Sequence, residues 1–197
     1  MQIVADDLSQ AEMYKLMNCM IVPRPIAWVT SVSAEGIVNL APFSTFNIVC
    51  YDPPLLGMNI GQKPDGSPKD TARNARLSGE LVVHIADEGL VDLLHASAAP
   101  HPADVSEAEL LKMALTPCID VAVPRLCAAP LALECKVFKI IDLGPSSEFV
   151  IAQIVRVHAR DGLVEDNKID SMALRPLSRL GGPVYGTLGP SISKAAA

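Results

Sequence analysis

The sequence predicts a mainly β, antiparallel fold with a few added helices. Two features carry this expectation. Between residues 26 and 60 four short β-prone segments follow one another with turn chemistry between them. Further on, two long apolar-rich segments, 131–143 and 149–159, flank the turn Gly144-Pro145-Ser146-Ser147 and read as a strand pair. Helices are expected only where capping residues open a stretch of helical spacing.

Composition supports one core. A chain of 197 residues with 50% hydrophobic residues and a mean hydropathy of +0.31 has material for one buried interior, so a single domain over residues 1–197 is expected. Only 4% of the residues are Phe, Trp or Tyr, so that core must be aliphatic. The net charge of −6 argues against nucleic acid as a partner, because phosphate backbones need a basic stripe. No apolar run approaches the length needed to span a bilayer. Asp6 and Asp7, with no basic flank before an apolar core, argue against a signal peptide. The five cysteines (Cys19, Cys50, Cys118, Cys127 and Cys135) are odd in number and include no CxxC pair, which fits reduced thiols in the cytoplasm.

In chain order, Ser9 and Glu12 form a capping box, and Met13, Leu16, Met17 and Met20 follow at helical spacing. Their stripe reads as packing surface, within the chain or against a partner subunit. This helix must stop before Pro23. Residues 26–32 form a good strand, Ala34-Glu35-Gly36 a hairpin turn, and 37–40 the antiparallel return. The sheet resumes at 45–49 after a break at Pro42. Asp52-Pro53-Pro54 stops it again, and 55–60 is the next strand. Residues 61–68 are a polar loop, followed by a helix that opens near Asp70 or Thr71 and stops at Gly79. Residues 80–85 read as a strand and 90–98 as a helix. Ser106 and Glu109 form a second capping box, opening a helix to about residue 114. The end, 191–197, reads as frayed.

Several chemistries find no support. The chain has no GxSxG elbow, no GxxxxGK[ST] loop, and no GxGxxG after a strand. His84 and His158 fall in expected strands and read as satisfied core or edge residues. His95 and His101 have no Cys or carboxylate at ligand spacing, so no metal site is expected. Cys118, Cys127 and Cys135 read as small buried hydrophobes.

Two stretches stand out. In residues 39–47 Pro42 removes a backbone donor, Phe43 and Phe46 supply flat apolar surface, and Ser44, Thr45 and Asn47 supply short polar groups. That combination suits a planar ligand with polar edges. It equally suits a bent strand that leaves a sheet at Pro42 and packs both phenylalanines inward. The second stretch is Lys69-Asp70-Thr71 at a helix start. Unsatisfied N–H groups there attract phosphate, and Lys69 and the Thr71 hydroxyl would add to such a site. Alone, it also reads as a plain helix cap with an exposed lysine.

Taken in order, these stretches carry a resemblance. Pro23-Arg-Pro-Ile-Ala-Trp-Val-Thr-Ser31, Asn39-Leu-Ala-Pro-Phe-Ser-Thr-Phe-Asn47, Asp52-Pro-Pro54, Lys69-Asp-Thr71 with Asn74, Glu80-Leu-Val-Val83 and the terminal Arg179-x-Gly-Gly-x-x-Tyr185 resemble the flavin reductase-like domain family, the FMN-binding split barrels. The resemblance runs from the N-terminal helix to Gly186. It departs slightly at Thr45, where an aromatic residue or Ser is common. It implies a six-stranded antiparallel Greek-key barrel with added helices, a homodimer, and FMN near the interface.

On that basis Trp28, Val29, Thr30, Ser31, Pro42, Phe43, Ser44, Thr45, Phe46 and Asn47 would surround the isoalloxazine and ribityl chain. Lys69, Asp70 and Thr71 would hold the phosphate, with Arg24 and Arg179 as cationic neighbours. Arg24 is otherwise a surface arginine between two prolines. Tyr185 would stack near the ring or merely close the barrel. The implied activity is NAD(P)H-dependent flavin reduction, by hydride transfer from NADH or NADPH, with reduced flavin passed to a monooxygenase. The alternative is a flavoredoxin-like FMN electron carrier fed by a protein donor. Neither assigns a proton-transfer role to a side chain, so no catalytic residue is named.

Overall fold

The computed structural model describes residues 2–194, so the frayed end expected at 191–197 lies partly outside the described residues. Seven strands form one antiparallel sheet. They are β1 (Ala27–Val32), β2 (Val38–Phe43), β3 (Phe46–Tyr51), β4 (Pro54–Gly61), β5 (Glu80–Ile85), β6 (Leu131–Asp142) and β7 (Ser147–Ala159). Their spatial order is β2-β1-β5-β6-β7-β4-β3. The fold is therefore mainly β, as expected, but the main sheet has seven strands rather than six. Its two edge strands, β2 and β3, are consecutive in the chain, so the sheet curls until its edges approach one corner.

The corner is not where the sequence put it. Pro42 does not break the strand; it pairs with Trp28 inside β2. On an edge strand every second N–H faces away from the neighbour, so a missing donor is tolerated. The break falls at Ser44 and Thr45. There the Thr45 hydroxyl donates to the Asn59 carbonyl at 2.7 Å, and the Asn59 N–H donates back to the Thr45 carbonyl at 3.4 Å.

Strand β1 is buried on both faces. Ala27 and Val29 point into the cluster enclosed by the sheet, with Leu56, Met58, Ile60, Leu81, Val83, Leu133 and Val150. Trp28 points the other way, into a second cluster with Leu40, Leu94, Ala108 and Leu126. The interior is mostly aliphatic as composition requires; Phe43 in the first cluster and Trp28 in the second are its buried aromatic residues among those described.

The helices are α1 (Gln10–Met20), α2 (Asp70–Ser78), α3 (Val91–Ala96), α4 (Glu107–Leu110) and α5 (Ser171–Leu174). The Ser9–Glu12 capping box forms as expected, and Gly79 adopts the left-handed conformation that ends α2 (φ 71°). The methionine stripe of α1 finds little packing within the chain: Met13 and Leu16 are half-buried, while Met17 and Met20 are exposed. The second capping box is only half made. Ser106 accepts the Glu109 N–H, but α4 ends at Leu110, with Lys112 at a positive φ. Glu107 turns inward and accepts the Leu40 N–H at 2.9 Å, supplying the free edge of β2 with a partner.

A small three-stranded sheet draws the chain ends together. Arg24–Pro25 pairs with Ser178–Arg179, which pairs with Tyr185–Gly186. It places Arg24, Arg179 and Tyr185 side by side.

Gly57 on β4 is closely packed on its side-chain face. A β-carbon there would run into the Phe149 ring and lie 2.6 Å from Val49 Cγ2. Gly57→Ala should therefore destabilise the fold by about 1–3 kcal/mol, read as a lower denaturant midpoint. An unchanged midpoint would mean that Phe149 swings aside freely.

Candidate functional site

Two cavities share Ala98 in their walls. One, of about 310 Å³, is lined by Arg24, Pro42, Ser44, Arg179 and Tyr185, with the α1 residues Tyr14, Lys15 and Asn18. The other, of about 580 Å³, is lined by Asn39, Lys69, Asp70, Thr71, His101 and Glu107. Both volumes are in the range of small-molecule sites.

The larger cavity contains the N-terminus of α2. Lys69 is its N-cap residue and makes no side-chain cap bond, so the first-turn N–H groups are not closed by their own cap. Behind them is a buried polar network. Asn39 Nδ2 donates to Thr71 Oγ1 at 2.8 Å and to Ser31 Oγ at 3.5 Å, and Asn74 Nδ2 donates to Ser31 Oγ at 3.2 Å. Thr71 Oγ1 accepts within the network, which leaves its own hydrogen to donate. The Asp70 carboxylate sits between Lys63 Nζ at 2.9 Å and Arg73 Nη1 at 2.8 Å, so its charge is balanced beside the helix end. Lys69 Nζ lies 5.9 Å from the centre of the Phe43 ring. Burial raises the Glu107 carboxyl above its usual range, partly offset by the Leu40 N–H.

The smaller cavity is walled by two arginines engaged in different ways. Arg24 is buried, at 8% exposure, which sets aside the surface-arginine alternative. Its Nη1 donates to the Ile21 carbonyl at 3.0 Å and to that of Asn18. Nη2 donates to Leu180 at 2.9 Å, and Nε to Ser44 Oγ at 3.4 Å. Arg24 thus ties the end of α1 to the C-terminal segment and to Ser44. Arg179 donates from Nε to the Gly182 carbonyl at 2.8 Å and from Nη1 to the Tyr185 hydroxyl, and stacks 4.5 Å from that ring's centre. The Tyr185 hydroxyl also meets His95 Nδ1 at 3.0 Å.

The remaining residues expected from sequence lie off the two cavities. Trp28 is fully buried, its Nε1 donating to Ser97 Oγ at 2.8 Å. Val29 is in the interior, and the Thr30 hydroxyl donates to the Pro124 carbonyl at 2.8 Å. Ser31 contributes through the asparagine network. Phe43 is core, Phe46 packs on the core, Thr45 is held by Asn59, and Asn47 is exposed with its side chain on the Ile48 N–H. Sequence reasoning did not assign site roles to Asn39, Asn74 or Glu107. A signal existed for two of them. Asn74 stands three residues after Thr71 on one helix face, and Asn39 pairs in register with Ser31.

Residues 17–177 match the flavin reductase like domain family. The chain belongs to this family. Nitrilotriacetate monooxygenase component B from Bacillus cereus is 38% identical, covers 98% of both chains, and superposes with a TM-score of 0.95. The 2-nitrobenzoate 2-nitroreductase of Pseudomonas fluorescens is 32% identical over 100% of this chain and 96% of its own, with a TM-score of 0.92. A split-barrel flavin reductase from Shewanella frigidimarina shares the fold (TM-score 0.87) at 22% identity, over 100% of this chain and 99% of its own. No helix among the described residues is long and apolar enough to cross a membrane.

The donor set suits a flavin that carries a phosphate. An uncapped helix N-terminus, a lysine and a hydroxyl held by a buried amide suit a phosphate. Past Ala98, the aromatic and cationic wall of the smaller cavity suits a planar ring with polar edges.

Proposed function

We propose that this chain is a flavin reductase that binds FMN across the two cavities, accepts reducing equivalents from NADH or NADPH, and supplies reduced flavin to a partner monooxygenase. The observation that carries the reading is the pairing of two cavities across Ala98, one holding a phosphate-type helix end and the other walled by arginine and tyrosine, in a chain of this family. The likeness to a nitrilotriacetate monooxygenase component B supports the reductase role.

Within this reading Lys69, the Thr71 hydroxyl and the first N–H groups of α2 hold the phosphate. Asn39 orients Thr71, and Asp70, neutralised by Lys63 and Arg73, lends its backbone. Pro42 and Ser44, which line the smaller cavity, face the ring edge, with the β1 residues Trp28–Ser31 as a rigid wall behind. Arg179 and Tyr185 close the far side, and Arg24 holds that side in place. Bound there, the flavin supplies the redox chemistry, taking a hydride from a reduced nicotinamide and handing electrons onward. The protein orients, tunes charge and keeps water out. The exposed Tyr14, Met17, Met20 and Ile21 of α1 and its end, beside the smaller cavity, support a homodimer with the site near its interface. The unpaired cysteines support a cytoplasmic setting.

An anaerobic absorbance titration tests this. Protein loaded with FMN should bleach on addition of NADH or NADPH, and the nucleotide that bleaches it is the donor. Flavin that stays bound and oxidised with both nucleotides would replace this reading with that of an electron carrier fed by a protein donor.

A further inference from the structure

A second cluster of chemically active side chains lies elsewhere, where β6 and β7 meet the loop that follows Leu115–Thr116. Glu134 is on β6, His158 is on β7, and Cys118 is on the loop. In the ladder His158 pairs with Ala132 and Arg156 with Glu134, so Glu134 and His158 are diagonal neighbours across the two strands. Their ligand-type atoms and the Cys118 sulfur all lie within 4.8 Å of one another. The sequence expectations for these residues therefore need correcting. Cys118 is not a buried apolar filler, and a histidine, a cysteine and a carboxylate converge although they are far apart in the chain. Cys127 is exposed, and of the three cysteines expected to be buried only Cys135 is.

We propose that Cys118 Sγ, a Glu134 carboxylate oxygen and His158 Nε2 form a zinc site. Thiolate, imidazole and carboxylate are the ligand types of zinc, whereas calcium and magnesium require oxygen alone. A tetrahedral zinc holds such donors about 3.3–3.6 Å apart, within the spread found here. The carboxylate is already oriented. Glu134 is fully buried and accepts the N–H groups of Ile119 at 2.9 Å, Asp120 at 2.6 Å and Val121 at 3.2 Å. Such outer bonds fix a ligand's direction. Two donors remain on its open side. His158 Nε2 lies 2.5 Å from Glu134 Oε1, and the Cys118 sulfur lies within 4.8 Å of both groups.

His158 and Cys118 thus face one buried anion, and a divalent cation can stand between the three groups. The thiol proton leaves to solvent, and the imidazole presents Nε2 without its proton. One thiolate, one carboxylate and a neutral imidazole then balance the metal's two positive charges. His158 lines a cavity of about 550 Å³, so its ring is reached from solvent.

Cobalt(II) is the probe, because its thiolate complexes show a charge-transfer band. The full chain, as purified with its flavin content, is stripped with a chelator, kept reduced, and titrated. About one equivalent of cobalt(II) per chain should produce the band, and zinc should abolish it. Flavin absorbance is subtracted using the metal-free sample. Cys118→Ser should lose the band, and Cys50→Ser, outside the cluster, should keep it. Should Cys118→Ser not fold, His158→Ala and the wild-type titration still decide: a wild-type chain that gives no band and whose thermal midpoint does not move with zinc overturns the proposal. A band that survives both Cys118→Ser and His158→Ala does so as well.

Discussion

Replacing Lys69 and Thr71 together by alanine should weaken FMN binding by at least about a hundredfold. Each group offers a charge-assisted or helix-supported bond to phosphate worth about 1.5–3 kcal/mol, and because they share one phosphate the sum falls short of full additivity. The structure adds a distinction between the two. Lys69 is exposed, with its charge over the Phe43 ring, so Lys69→Ala should change affinity and leave stability nearly intact. Thr71 is buried and accepts from Asn39 at 2.8 Å, so Thr71→Ala also strands an amide donor and should lower stability by about 1–3 kcal/mol. Thr71→Ser, which keeps the hydroxyl, should restore most of both. Fluorescence quenching of FMN gives the affinities and denaturant midpoints the stabilities. Wild-type affinity in a folded double variant would place the phosphate elsewhere.

Acidification should destabilise the fold well before its carboxylates titrate. His84 is fully buried between β1 and the segment at Leu126. Its Nδ1–H donates to the Trp28 carbonyl at 2.8 Å, and Nε2 accepts the Leu126 N–H at 3.0 Å, so the ring is neutral and its tautomer is set. Burial, first of all, pushes its pKa down to about 4; the Trp28 carbonyl opposes this, and the charges of Arg125 and His158 add to it. Protonation would also turn Nε2 into a donor facing another donor. The unfolded chain takes up this proton near pH 6.5, while the folded chain does so only near 4. Stability is thus complete above about 6.5 and falls through the interval down to 4, by about 2 kcal/mol at pH 5 and about 3 kcal/mol at the lower end. Urea midpoints measured between pH 7 and 5 should fall along this slope in the wild type, and the slope should be largely absent in His84→Gln. A flat wild-type profile would mean that water reaches the ring.

Much of this protein is legible in one dimension. The Ser9–Glu12 box, the Gly79 stop, the strand and hairpin positions and the 131–143 with 149–159 pair all depend on neighbours within a few residues, so local sequence specifies them. The resemblance followed because its motifs keep their order along the chain. The two side chains proposed to meet the phosphate, Lys69 and Thr71, were legible for the same reason: a helix start is a local feature.

Long-range contacts decided the rest. Pro42 stays within a strand because that strand is an edge, and only sheet order makes it one. Arg24 reads as a surface residue between two prolines until Leu180, far along the chain, supplies a carbonyl for it. Trp28 and Thr30 sit on a motif strand, yet their side chains turn to Ser97 and Pro124 because β1 is buried on both faces. Asn39, Thr71, Ser31 and Asn74 come from three separate elements, and Cys118, Glu134 and His158 are brought together by a sheet register and a loop. Local propensity determines which elements form. Which polar groups share a buried volume, and therefore which chemistry they can perform, is set by how the sheet curls and what it encloses.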